Sequence, residues 1–124
     1  MILGVGVDIC PVQRIEDIVA RQGDAFVDKV FTETERRYAT GRAQGERLAA
    51  RWAAKEAAIK ALGAPTGMKW HDIWVQNRPD GAPELQLAGA AAARFAQLGA
   101  VRTWLTLSHA GGMAVAVVII EGAP

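Results

Sequence analysis

Arg51-Trp-Ala-Ala-Lys-Glu-Ala-Ala-Ile-Lys-Ala-Leu-Gly63 is the stretch on which the fold turns. It contains no proline, it is rich in strong helix formers, and a glycine ends it. At about 100° per residue, Leu48, Trp52, Ile59 and Leu62 share one face, and Ala50, Ala54, Ala57, Ala58 and Ala61 gather on another. The spacing predicts a helix over 44–62. Because alanines let a neighbouring backbone come close, the helix is expected to be buried on more than one side.

Working outward, residues 2–9 read as a short buried strand, with Val5, Val7 and Ile9 at alternate positions. Pro11 suits the first turn of a helix over roughly 11–22, closed by Gly23. Residues 24–31 read as a second short helix, and Thr32 with Glu35 matches a capping box, so a third should begin near Glu33. Downstream, Ile73–Val75 and Leu85–Leu87 flank a turn containing Asp80-Gly81. Residues 89–98 form a small alanine-rich helix ended by Gly99. Two strands, 103–109 and 113–120, are joined through Ala110-Gly111-Gly112. Strand, helices, hairpin, helix, hairpin is the order of an α+β protein, with an antiparallel sheet packed on the long central helix and no doubly wound core.

The 124 residues make one domain, 1–124, large enough for a modest core. Fourteen basic residues stand against 13 acidic ones, a net charge of +1, which gives no general case for nucleic-acid or membrane binding. A single cysteine, Cys10, fits packing in a reducing cytoplasm. The apolar start lacks a basic leader and is broken by Asp8, so it does not read as a signal peptide, and no run is long enough to span a bilayer.

Three features could carry chemistry. Asp8 ends an apolar strand and Glu56 lies at the edge of the apolar stripe, so each carboxylate must be paired, hydrogen-bonded or metal-bound. Two carboxylates with few companions suit Mg²⁺, which keeps waters and takes substrate phosphate oxygens. The plainer alternative has Asp8 capping the helix that follows Pro11 and Glu56 pairing with Lys60 at i,i+4. Second, seven basic residues and two acidic ones fall between Arg36 and Lys60. Arg51, Lys55 and Lys60 share the helix of Glu56 and could receive a polyphosphate; a solvated helix with snorkelling stems is the competing reading. Third, Ser108-His109 ends a strand before a glycine turn, where a hydroxyl and an imidazole can bind phosphate or stand merely exposed. There is no phosphate-binding glycine loop, dinucleotide fingerprint or zinc spacing.

Taken in order, these segments resemble the holo-acyl-carrier-protein synthase family, the small trimeric class of phosphopantetheinyl transferases. The resemblance rests on Gly4-Val-Gly-Val-Asp8-Ile with Arg14-Ile15, and on Phe31-Thr-Glu-Thr-Glu35. It continues through the Arg51–Gly63 stretch, His71-Asp-Ile-Trp-Val with Asp80-Gly-Ala-Pro83, and Leu107-Ser-His109 with Ala114-Val-Ala-Val. It implies transfer of 4′-phosphopantetheine from coenzyme A to a serine of apo-acyl carrier protein, a step of fatty-acid and lipid synthesis. Asp8 and Glu56 would hold Mg²⁺, and Lys60 would lie against the pyrophosphate. Arg51, Ser108 and His109 would hold the nucleotide with its 3′-phosphate, and Arg14 and Arg21 would dock the acidic carrier. Glu56 and Lys60 would be catalytic, with the serine proton going to Glu56 or to water. The sites would lie between subunits of a homotrimer. A coenzyme A- or nucleotide-binding trimer without activity is the alternative; it would not need both acidic ligands.

Overall fold

The structure, a computed structural model, describes residues 1–124. The long helix of the motif is α4 (Gln44–Ala61), and everything else is arranged around it. Before it come β1 (Ile2–Pro11), α1 (Val12–Gln22), α2 (Asp24–Val30) and α3 (Glu33–Tyr38). After it come β2 (Ile73–Asn77), β3 (Pro83–Leu87), α5 (Gly89–Gln97), β4 (Ala100–Ala110) and β5 (Met113–Gly122). The strands form two antiparallel sheets, one in the order β1-β5-β4 and one a β2-β3 hairpin. The α+β reading of the sequence is what folds.

The three-stranded sheet lies on α4. Ala114, Ala116, Val118 and Ile120 of β5 are fully buried, facing Ala53, Ala54, Ala57, Ala58 and Ala61 of the helix. The alanine face exists for β1. A Cβ on Gly4 would lie 2.0 Å from the Ala61 carbonyl oxygen, and one on Gly6 would lie 1.8 Å from that of Ala57. Only glycine opposite alanine allows this strand to rest on helix backbone. Each two-residue step along β1 therefore matches about one turn of α4, and the next inward position of the strand is Asp8.

Several boundaries moved, most by one or two residues. Pro11 is the last residue of β1 and the N-cap of α1, in extended conformation, so the helix begins one residue later. No side chain caps that helix, which removes the capping reading of Asp8. Strand β4 begins at Ala100, before the expected 103, because a bulge between Ala100 and Arg102 keeps it paired to β5. The capping box at Thr32 is present as expected, with Glu35 accepting from the Thr32 backbone at 3.0 Å.

Glu35 does more than cap. It is completely buried, and its second oxygen accepts from the Val75 backbone at 3.0 Å. Lys55, equally buried, lies 2.8 Å from the first oxygen and donates to the carbonyls of Trp70 and Ile73. This pair ties α3, α4, the turn at Trp70–Asp72 and β2 together. Burial pushes the Lys55 ammonium below the ordinary lysine value, and Glu35 opposes that. Lys55 is thus turned inward as a strut and is not among the cations available to a phosphate ligand.

Candidate active site

Because Gly4 and Gly6 press β1 onto α4, Asp8 arrives beside the last turns of the helix. Lys60 reaches back across the gap: its Nζ donates to the Val7 carbonyl at 3.0 Å and to Asp8 Oδ1 at 3.3 Å. Lys60 therefore pairs with the strand carboxylate, and not with Glu56 one turn away as the i,i+4 alternative had it. Glu56, partly buried, has its carboxyl raised above the usual range, first by desolvation and then by the negative charge of Asp8, with Lys60 acting in the opposite sense. The two carboxylates are thus close enough to repel, and no third His, Cys, Asp or Glu joins them. Two hard oxygen donors with open surroundings fit a cation that keeps most of its shell for water and phosphate.

The second set of site residues lies elsewhere on the helix. Arg51 is almost wholly buried, and its guanidinium donates to Asn77 Oδ1 at 2.9 Å and to the Arg47 carbonyl at 3.3 Å. It also lies 4.2 Å over the ring of Tyr38, and its Nε has no partner. It opens into a cavity of about 360 Å³ that is also lined by Arg47, Ser108 and His109. A buried guanidinium with an unmet donor calls for an anion. His109 Nδ1 stands 3.6 Å from Glu46. Ser108 and His109 both border this cavity, beside Arg51. Tyr38, Arg47 and Asn77 escaped the sequence reading, since nothing in their local pattern marks them.

Helix geometry separates the two sets. Relative to Arg51, Glu56 lies about 140° and Lys60 about 180° around the helix. One chain therefore presents the carboxylate cluster and the Arg51 cavity on opposed sides of α4.

On α1, Arg14 and Arg21 are exposed and two turns apart, which puts them on one face. Arg14 lies at the end nearer the carboxylates, for its charge lowers the same Cys10 thiol that Asp8 and Glu56 raise. Burial is the main influence on that thiol, and it keeps Cys10 a packed, protonated group. No helix is long and apolar enough to cross a membrane.

The chain resembles known proteins over nearly its whole length. The chain is 49% identical over 127 residues to the holo-[acyl-carrier-protein] synthase of Anaeromyxobacter dehalogenans (strain 2CP-C), covering 99% of this chain and 98% of that one. It is 47% identical to the synthase of Salinispora arenicola, covering 98% and 99%. Among solved structures, the Chronobacterium ammoniagenes ACPS–coenzyme A complex superposes with a TM-score of 0.84 at 34% identity, covering 98% of each chain. The acyl carrier protein synthase of Mycobacterium tuberculosis does so at 0.79 and 36%, covering 99% of this chain and 100% of that one. The profile of the 4′-phosphopantetheinyl transferase superfamily matches residues 4–118, and the chain belongs to that superfamily.

Proposed function

We propose that this chain is a holo-[acyl-carrier-protein] synthase, which moves 4′-phosphopantetheine from coenzyme A to a serine of an apo-acyl carrier protein. The observation that carries the reading is the meeting of Asp8, Glu56 and Lys60 where β1 crosses α4. Relatives of the same length bear that name, and neighbouring structures hold coenzyme A. The reaction belongs to the reducing cytoplasm, where the free Cys10 thiol is stable.

Asp8 and Glu56 would hold Mg²⁺, and that ion, when bound, supplies neutralisation of the pyrophosphate charge. Lys60 holds Asp8 and presents its ammonium to the phosphates, so positive charge already stands where negative charge grows. The serine oxygen forms a bond to the phosphorus that bears pantetheine. The bond from that phosphorus to the bridging oxygen breaks, and adenosine 3′,5′-bisphosphate leaves with the electron pair. The serine proton passes to Glu56 or to a water beside it.

The 3′-phosphate of the nucleotide suits the cavity of Arg51 and His109, where the unpartnered Nε waits. Since that cavity lies on the far side of α4 from Lys60, one ligand can use both sets only if they come from different copies. The outer face of the three-stranded sheet supports such an assembly. Val5, Val7 and Ile9 are 59%, 51% and 55% exposed, and the register sets them in rows with Ile119, Val117 and Val115. Trp104, 49% exposed, extends the first row. An apolar face of this extent marks a protein interface, and a homotrimer with three shared sites satisfies it. Arg14 and Arg21 would then guide an acidic carrier helix to the site.

Incubating the chain with coenzyme A, Mg²⁺ and an apo carrier, and weighing the carrier by mass spectrometry, tests this. A gain of one phosphopantetheine is expected, lost with EDTA and in Asp8→Ala. Arg14→Glu should raise the KM for carrier alone. An unmodified carrier, or transfer undiminished by chelator, would refute the reading.

A further inference from the structure

Asn77 is the last residue of β2, half-buried on the wall of the Arg51 cavity, and two bonds fix its side chain. Its Oδ1 accepts from the Arg51 guanidinium at 2.9 Å, and its Nδ2 donates to the Gly81 carbonyl at 3.0 Å. A guanidinium can only donate and a carbonyl can only accept, so the amide lies one way. The turn beyond it is closed on itself. The Arg78 backbone donates to the Ala82 carbonyl and the Gly81 backbone to that of Arg78, both at 2.8 Å, and Asp80 accepts from the Ala82 backbone at 3.0 Å. Gly81 and Pro83 stand on the cavity wall. Asn77 thus joins a self-braced turn to the buried guanidinium of the cavity.

That guanidinium is held from three elements. The Tyr38 ring of α3 lies against its face, the Arg47 carbonyl of α4 accepts from Nη1, and Asn77 of β2 accepts from Nη2. These bonds leave Nε and the remaining Nη hydrogens for an anion. We infer that Asn77 is a positioning residue for the nucleotide end of coenzyme A, which fixes Arg51 without neutralising it. The inference rests on the transferase reading and deepens it. A carboxylate at this position would bond the guanidinium more strongly, yet it would cancel the charge of Arg51 and oppose the 3′-phosphate. The amide offers the same acceptor with no charge, so the cation stays available. The carboxylate cluster lies across α4, so the effect of Asn77 falls on binding and not on the chemical step.

Dephospho-coenzyme A, which lacks the 3′-phosphate, provides the control. Asn77→Asp keeps the size of the side chain and the bond to Arg51, and adds the charge. The KM for coenzyme A should rise about tenfold with little change in kcat. The inhibition constant of dephospho-coenzyme A should stay at its wild-type value. Asn77→Ala removes the hold without adding charge, and should raise the KM for coenzyme A about threefold, again leaving dephospho-coenzyme A unaffected. An unchanged KM in Asn77→Asp would overturn the inference. An equal loss of affinity for dephospho-coenzyme A would overturn it too, because the substitution would then have disturbed only the cavity wall. Absence of transfer by the wild-type chain would overturn the transferase reading, and the inference with it.

Discussion

Glu56, the proposed metal ligand, carries a cost to stability in the same side chain. Its carboxyl is raised by desolvation and by Asp8, so without a cation the folded state holds its proton more tightly than the unfolded chain does. A raised carboxyl removes stability as the pH climbs from the ordinary value of 4.5 through the folded one, and the loss is complete above that. Glu56→Gln should therefore raise the Tm of the metal-free protein at pH 7, with the gain fading below pH 4.5. A Tm gain that persists in acid would place the cause elsewhere. Glu35 and Lys55 behave differently, because each would be left as a bare buried charge without the other. Lys55→Met alone should destabilise by about 3–5 kcal/mol. The double variant Glu35→Leu, Lys55→Met should recover much of that loss. Denaturant titration of both variants reads the coupling directly, and equal stability of the two would show that the pair is not a unit.

At the scale of elements, the contact of β1 with α4 decides whether the site exists. Gly6→Ala would drive a methyl into the Ala57 carbonyl, so the strand must lift from the helix and carry Asp8 away from Glu56. We expect a loss of about 3 kcal/mol or more in chemical denaturation, with affinity for divalent cation falling alongside it. A variant as stable as the parent would mean that the strand does not lie on the helix backbone. Much of this contact was legible in the sequence. The alanine face of α4 announced a close neighbour, but the alternation of β1 offered Val5, Val7 and Ile9 as the buried face, and these are exposed while the glycines and Asp8 turn inward. What the sequence could not show was the partner of each charge. Lys55 and Lys60 look alike along the chain, yet one turns into the fold toward Glu35 and the other across to Asp8. The difference depends on β2 and β1 arriving at different sides of the helix. Tyr38 and Asn77 were illegible for the same reason: they meet Arg51 only through tertiary approach.

For the whole molecule, the apolar outer sheet and the opposed faces of α4 lead to one arrangement. In the proposed assembly the carboxylate cluster of one copy faces the Arg51 cavity of a neighbour, and a monomer would hold two half-sites with no complete one. Asp8→Ala removes the first half and Arg51→Gln the second. Each variant alone should be close to inactive in transfer to an apo carrier. Co-expressed in equal amounts, they should form mixed assemblies in which about a quarter of the interfaces combine two intact halves. Activity of the co-expressed pair near that fraction of wild type is the result expected. If the mixture were as inactive as its components, both halves would have to reside in one chain, and the account of a site shared between copies would be wrong.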